Sequence, residues 1–215
     1  MALRLSRIDD LTRSDHTFIE TDDECLYLGE YNARKGYQFS ATNDLIFNLK
    51  KPMDRRGQPG WSYKRRAIES AGREMRQALD SLNEKWLSIA TLVPMPPSKV
   101  KTDPMYDDRM IQMLQVLGAG IEVDVRELIV QRESTDAAHT TELRPRIYEL
   151  LENYTVDEAL VNPPPRVIGL VDDVLTTGAH FKAAKRLLST RFPGIRIYGL
   201  FVARRVPDSA DISES

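Results

Sequence analysis

Val167-Ile168-Gly169-Leu170-Val171-Asp172-Asp173-Val174-Leu175-Thr176-Thr177-Gly178-Ala179-His180 is the stretch whose reading decides the fold. It opens as an apolar, β-branched run, the pattern of a parallel strand buried on both faces. It then turns through two carboxylates and Thr-Thr-Gly into an amphipathic helix carried by Phe181, Ala184, Leu187 and Leu188. A strand that ends in a small-residue loop opening a helix offers backbone N–H groups and a positive dipole end to a phosphate. Thr176 and Thr177 add hydroxyl donors, and Gly178 lets the backbone approach a ligand closely. Asp172 and Asp173 stand just ahead of that cradle, where acceptors face sugar hydroxyls. An ordinary strand–turn–helix needs neither both carboxylates nor both threonines for packing.

Downstream, Ile195 to Val202 reads as the last strand, followed by Arg204-Arg205 and a loose polar tail. Upstream, Pro163-Pro164-Pro165 is a stiff linker into the central strand. Glu142 to Tyr154 reads as a helix with Leu143, Ile147, Leu150, Leu151 and Tyr154 on one face, with Arg144, Pro145 and Arg146 at its entry. Before it, residues 132–141 are polar and non-periodic, the composition of a loop that closes over a site. Val123 to Val130 reads as a strand. Asp103-Pro104 is a helix start running through Met110, Met113, Leu114 and Leu117 to Gly118. Ser88 to Val93 is a buried strand leading into Pro94-Met95-Pro96-Pro97-Ser98-Lys99, a rigid loop ending in a hydroxyl and an ammonium. Open α/β sheets place ligands at such carboxyl ends.

Ser62 is expected to cap the longest helix, with Ile68, Ala71, Met75, Leu79, Leu82 and Trp86 as its apolar stripe. Lys64, Arg65, Arg66, Arg73 and Arg76 fall opposite, a face read first as solvated and second as a surface for a phosphate-bearing partner. Residues 52–60 form an exposed loop, Asn43 caps a short helix through Leu45, Ile46 and Leu49, and Cys25 to Tyr31 is a strand. Residues 1–24 lack a period and are expected to be a partly ordered arm. Lone His16 reads as solvated and His139 as a loop residue, and Trp61 and Trp86 read as packing anchors.

Alternating strands and helices predict an α/β fold, an open and mostly parallel sheet with flanking helices. Residues 1–60 would form an arm and hood, 61–205 the core and 206–215 the tail. The net charge of -2 gives no long-range pull toward nucleic acid. The single Cys25 excludes an internal disulfide and fits a reducing compartment. No apolar run approaches a membrane span, so the expectation is a cytoplasmic protein.

The central stretch resembles the PRPP-binding motif of type I phosphoribosyltransferases, an apolar strand, two acidic residues, two variable positions and Thr-Thr-Gly. His180 stands where that family usually has Thr or Ser. Leu45 to Lys51, Pro94-Met95-Pro96, Arg132 with Thr135, Tyr154-Thr155-Val156 and the late PRPP loop together resemble the competence protein F branch, linked to DNA uptake. Members often carry a cysteine-rich zinc ribbon, and Tyr106-Asp107-Asp108-Arg109-Met110 replaces their usual Arg-Gly-Phe-Asn-Gln. The resemblance implies a Rossmann-like core, PRPP with Mg²⁺, and transfer of phosphoribose to a nucleobase-like acceptor with pyrophosphate release. It puts Asp172 and Asp173 on the ribose hydroxyls or a magnesium water, with Asp173 as the proton-transfer group. Thr176, Thr177, Gly178, Ala179 and His180 would hold the 5′-phosphate, and Ser98, Lys99 and Arg132 the pyrophosphate. Tyr37, Phe39 and Tyr106 are candidates to stack on the base, and a homo-oligomer is expected. Two other readings stand beside it: a non-catalytic PRPP or nucleotide sensor or DNA-handling partner, and a hydrolase in which water replaces the base.

Overall fold

The structure is a computed structural model that describes residues 4–82, 85–135 and 147–207. In chain order its elements are β1 (Ser6–Arg7), β2 (Glu24–Tyr31), α1 (Ala41–Leu49), α2 (Ser62–Leu82), β3 (Ala90–Pro94), α3 (Arg109–Leu117) and β4 (Asp124–Val125). They continue with β5 (Ile129–Gln131), α4 (Ile147–Asn153), β6 (Tyr154–Val156), β7 (Val167–Leu175), α5 (Ala179–Arg191) and β8 (Arg196–Arg205). Six strands form one sheet in the order β1-β2-β8-β7-β3-β4, and β5 and β6 form a separate antiparallel pair. All neighbours in the main sheet are parallel except the β1 edge.

β7 lies at the centre because its sequence suits burial on both faces. Ile168 and Leu170 join a core with Phe181, Ala184 and Leu188 of α5 and Tyr154 of β6. Val171 and Val174 join a second core with Ile46 and Leu49 of α1, Ile68 and Met75 of α2, and Met113 and Leu114 of α3. The result is three layers, with helices on both faces of the sheet. Among the described residues no helix is long and apolar enough to cross a membrane.

Several boundaries differ from the sequence expectation, each for a local reason. Ser40, not Asn43, caps α1, and its Oγ accepts from the Asn43 N–H at 3.0 Å. The Asn43 amide is buried and donates to the carbonyls of Asn32, Lys35 and Gly36. α3 begins at Arg109, because Asp103 closes a turn of its own by accepting from Met105 N–H and the Ser134 hydroxyl, both at 2.8 Å. α2 starts at Ser62 itself and ends at Leu82, which is exposed, so Trp86 belongs to the following turn. The expected strand 123–130 divides between β4 in the main sheet and β5 outside it. Tyr154 starts β6 rather than ending a helix, and β8 carries on through Arg204 and Arg205. His139, Arg144, Pro145, Arg146, the start of the expected 142–154 helix and residues 208–215 lie outside the described residues.

Residues 4–24 also differ, since Leu5, Ile8, Ile19 and Asp23 are buried and the segment is packed on the core. Residues 24–31 form a strand inside the main sheet, and α1 packs against β2, β7, β8 and α2.

Gly72 sets the close crossing of α2 and α3. A Cβ there would lie 2.6 Å from the Met113 carbonyl oxygen and 2.8 Å from Val116 Cβ. Ala is the better helix former by ~1 kcal/mol, yet overpacking against backbone costs ~1–3 kcal/mol. Gly72→Ala is therefore expected to lower the unfolding free energy in a urea titration, and a stabilised variant would contradict this packing.

Candidate functional site

β3 leads on to β4 on one side of the sheet, and β7 leads on to β8 on the other. Neighbouring parallel strands whose connections diverge leave a crevice beyond their carboxyl ends, where ligands of open α/β sheets bind. Here that point lies between β3 and β7. The loop after β3 is tied there by the Met95 N–H donating to the Val171 carbonyl at 2.8 Å. The expected pyrophosphate loop and the expected phosphate loop thus leave the sheet side by side.

The two carboxylates face opposite sides of the sheet. β7 continues through both of them to Leu175, and successive side chains of a strand point to opposite faces. Asp173 points to the α1–α3 layer and is buried. Its Oδ2 accepts from Arg109 Nη2 at 2.6 Å and Nε at 3.1 Å, and its Oδ1 lies 3.3 Å from Lys50 Nζ. Burial alone would raise its pKa, but these two cations hold the carboxyl well below the usual range. The network runs on through Arg109 Nη1 to Asp107 Oδ2 at 2.6 Å, and from there to Lys64 Nζ at 2.7 Å. Lys64 is buried and also donates to the carbonyls of Leu49 and Lys51, so it does not belong to a solvated basic face.

Asp172 faces the other way and remains half-buried. Its Oδ1 accepts from the Asp173 N–H at 2.8 Å. Burial, then the negative charge of Asp173, raises its pKa well above the ordinary carboxylate value. On this side stand Tyr154 and His180, with Tyr154 Oη 2.6 Å from His180 Nδ1. Burial, then Asp172, keeps the Tyr154 phenol protonated, and burial lowers His180 to about 4. A neutral phenol and a neutral imidazole thus share this hydrogen bond.

Beyond Leu175 the loop turns on Gly178 at φ 85°, the left-handed cap from which α5 begins. Residues 16–18 lie against its back. The His16 ring donates through Nδ1 to the Thr176 carbonyl, and the Phe18 N–H donates to the Thr177 carbonyl at 2.9 Å. In a trans peptide the C=O and the next N–H point opposite ways. With these two carbonyls held by the arm, the N–H groups of Thr177 and Gly178 point away from it. The arm is locked in place by Lys182 on α5, which reaches Asp23 at 2.6 Å and Glu20 at 2.7 Å, and by Lys185, 2.6 Å from Asp23. Glu20, Asp22 and Asp23 cluster closely enough for a metal, but Lys182 and Lys185 already pair with them. His16 is thus buried rather than solvated.

Ser98 is pinned through its carbonyl, which accepts from the Thr135 N–H at 2.7 Å. The Arg132 N–H donates to the Asn153 carbonyl at 2.9 Å, and Arg132 as a whole is exposed. Lys99 lines a pocket on the β4 side of its loop. The crevice at β3 and β7 therefore brings together Asp172, Thr176, Thr177, Gly178, Ala179 and His180, with Asp173 behind them.

Sequence reasoning missed Lys50, Arg109, Asp107 and Tyr154. Lys64 had a visible signal, because it stands four residues before Ile68 and so falls in line with the buried stripe of α2.

Both imidazoles beside the loop are held neutral by burial, His180 near 4 and His16 below 6.5. The unfolded chain protonates them from 6.5 downward, so it binds more protons and stability falls as pH drops from 6.5 toward about 4. Urea titrations across that window are expected to show the decline, with a shallower slope in His180→Asn. An unchanged slope would contradict a neutral buried ring.

No protein-family model matches the chain, and no curated protein matches it.

Proposed function

We propose that the chain binds PRPP as its magnesium complex and transfers phosphoribose to a nitrogenous acceptor, releasing pyrophosphate. The observation that carries this reading is the loop 176–180. Its Thr176 and Thr177 carbonyls are held from behind by the N-terminal arm, so the Thr177 and Gly178 amides and the start of α5 are preorganised for a phosphate at a sheet switch point. On this reading the core is of the phosphoribosyltransferase type, residues 1–60 include its hood, and His180 adds a neutral imidazole beside the 5′-phosphate.

Asp172 takes the chemical role, and Asp173 a positioning one. A carboxyl lifted by burial beside a fixed negative charge exchanges protons closer to neutral pH, as an acid–base group requires. Its second oxygen is the hard donor that suits a ribose hydroxyl or a magnesium water. Asp173, held by Arg109 and Lys50, fixes the end of β7 and the Asp172 backbone contact. Arg132, on a flanking loop, supplies positive charge for the pyrophosphate. The test is pyrophosphate release from Mg·PRPP with pooled nucleobases. Asp172→Asn is expected to slow it by about 100-fold or more, with Mg·PRPP still bound. Equal rates in the two proteins would remove Asp172 from the chemistry.

A sensor is the second reading, favoured by Asp173 being spent on two cations, which leaves one carboxylate for the sugar. Mg·PRPP binding without any release, with or without bases, would select it.

A further inference from the structure

A cavity of about 210 Å³ opens at the carboxyl ends of β3 and β4, lined in part by the 94–99 loop. None of Asp172, Thr176, Thr177 or His180 lines it. Met95, Met110 and Ile129 form its buried floor, and Pro97 and Ile111 line its sides. Prolines and flexible thioethers together make a slot that is stiff at the rim and adaptable at the base. The Gln131 side-chain amide donates to the Pro97 carbonyl, so the rim is fixed to β5 and the slot is preformed.

Its polar groups converge at one end. The Tyr106 hydroxyl donates to Glu127 Oε1 at 3.3 Å, and Lys101 Nζ lies 2.6 Å from Oε2. Burial, then Glu127, pushes Tyr106 up to about 12, so the phenol stays neutral. Each carboxylate oxygen of Glu127 keeps a second lone pair as an acceptor. Asp107 is already bonded to Lys64 and Arg109, so the carboxylate this end offers a ligand is Glu127. Pockets for drug-sized ligands run to ~300–1,000 Å³, so this one holds a single ring system and no sugar phosphate.

We propose that this pocket is a second ligand site, taking one uncharged, planar heteroaromatic ring whose N–H group donates to Glu127. The ring lies between Pro97, Ile111 and the two methionines, with its donor edge toward the Tyr106–Glu127 pair. The site is independent of the phosphoribosyl reading, and its test uses no PRPP.

Indole, benzimidazole and adenine are titrated against the whole chain by ligand-observed NMR. At least one is expected to bind with a Kd at or below about 1 mM. Ile111→Trp fills the slot, and Glu127→Gln removes the charge that the N–H faces. Each is expected to weaken binding by about tenfold or more, with unchanged circular dichroism. Glu127→Gln alone decides the matter if Ile111→Trp does not fold. AMP is expected to bind more weakly than adenine. Failure of all three rings to bind, equal binding in wild type and Glu127→Gln, or tighter binding of AMP would overturn the proposal.

Discussion

Arg109→Met is expected to lower the unfolding free energy by about 3 kcal/mol or more, read by chemical denaturation, because it strands a buried carboxylate. Asp173 has 5% of its side chain exposed and receives two hydrogen bonds from the Arg109 guanidinium. Lys50, at 3.3 Å, is the only other cation bonded to it among the described residues, and its ammonium is a longer, single contact. The same substitution takes one of two partners from Asp107, whose other partner is Lys64. Arg109→Lys keeps the charge but not the planar fork, so an intermediate loss is expected. Adding Asp173→Asn to Arg109→Met removes the stranded charge and is expected to restore part of the loss. A double variant no more stable than Arg109→Met would show that the network is not what fixes the end of β7.

Gly178→Ala is expected to weaken Mg·PRPP binding by about 100-fold, the scale of a small misplacement of aligned groups. Two independent features meet at this residue. Its φ of 85° is left-handed, which costs any other L-residue ~1–2 kcal/mol. A Cβ would also lie 2.5 Å from Ile19 Cδ1 and 2.7 Å from Cγ1. The loop then has to leave the arm, and the amides of Thr177 and Gly178 lose their direction. Ile19→Ala in the same chain relieves the collision but not the dihedral, so calorimetry is expected to recover only part of the affinity. Full affinity in Gly178→Ala alone would mean that the loop amides do not hold the phosphate.

The central strand and its helix were legible because their signals are local. An apolar run needs burial on both faces, and Thr-Thr-Gly followed by a helical stripe marks one turn. The partition of Asp172 from Asp173 was also open to reading, since adjacent strand residues face opposite ways. The apolar run stops at Val171 and hides it, because the strand continues through both carboxylates to Leu175. Other features depend on distant partners. Ile8 and Ile19 sit in a polar segment with no period, and only the loop at Thr176–Gly178 and the sheet edge give them a place to pack. Arg109 looks like any surface arginine at a helix start until Asp173 arrives from 64 positions away. Tyr154 carries the spacing of the α4 stripe, yet its hydrogen bond to His180 goes with β6.

The most direct measurement is the backbone amide NMR spectrum of the wild-type chain during titration with Mg·PRPP. The phosphoribosyl reading predicts the largest saturable shifts at Thr177, Gly178, Ala179 and His180, with weaker shifts when ribose 5-phosphate replaces PRPP. Saturable shifts confined elsewhere, or none at these four amides, would contradict it.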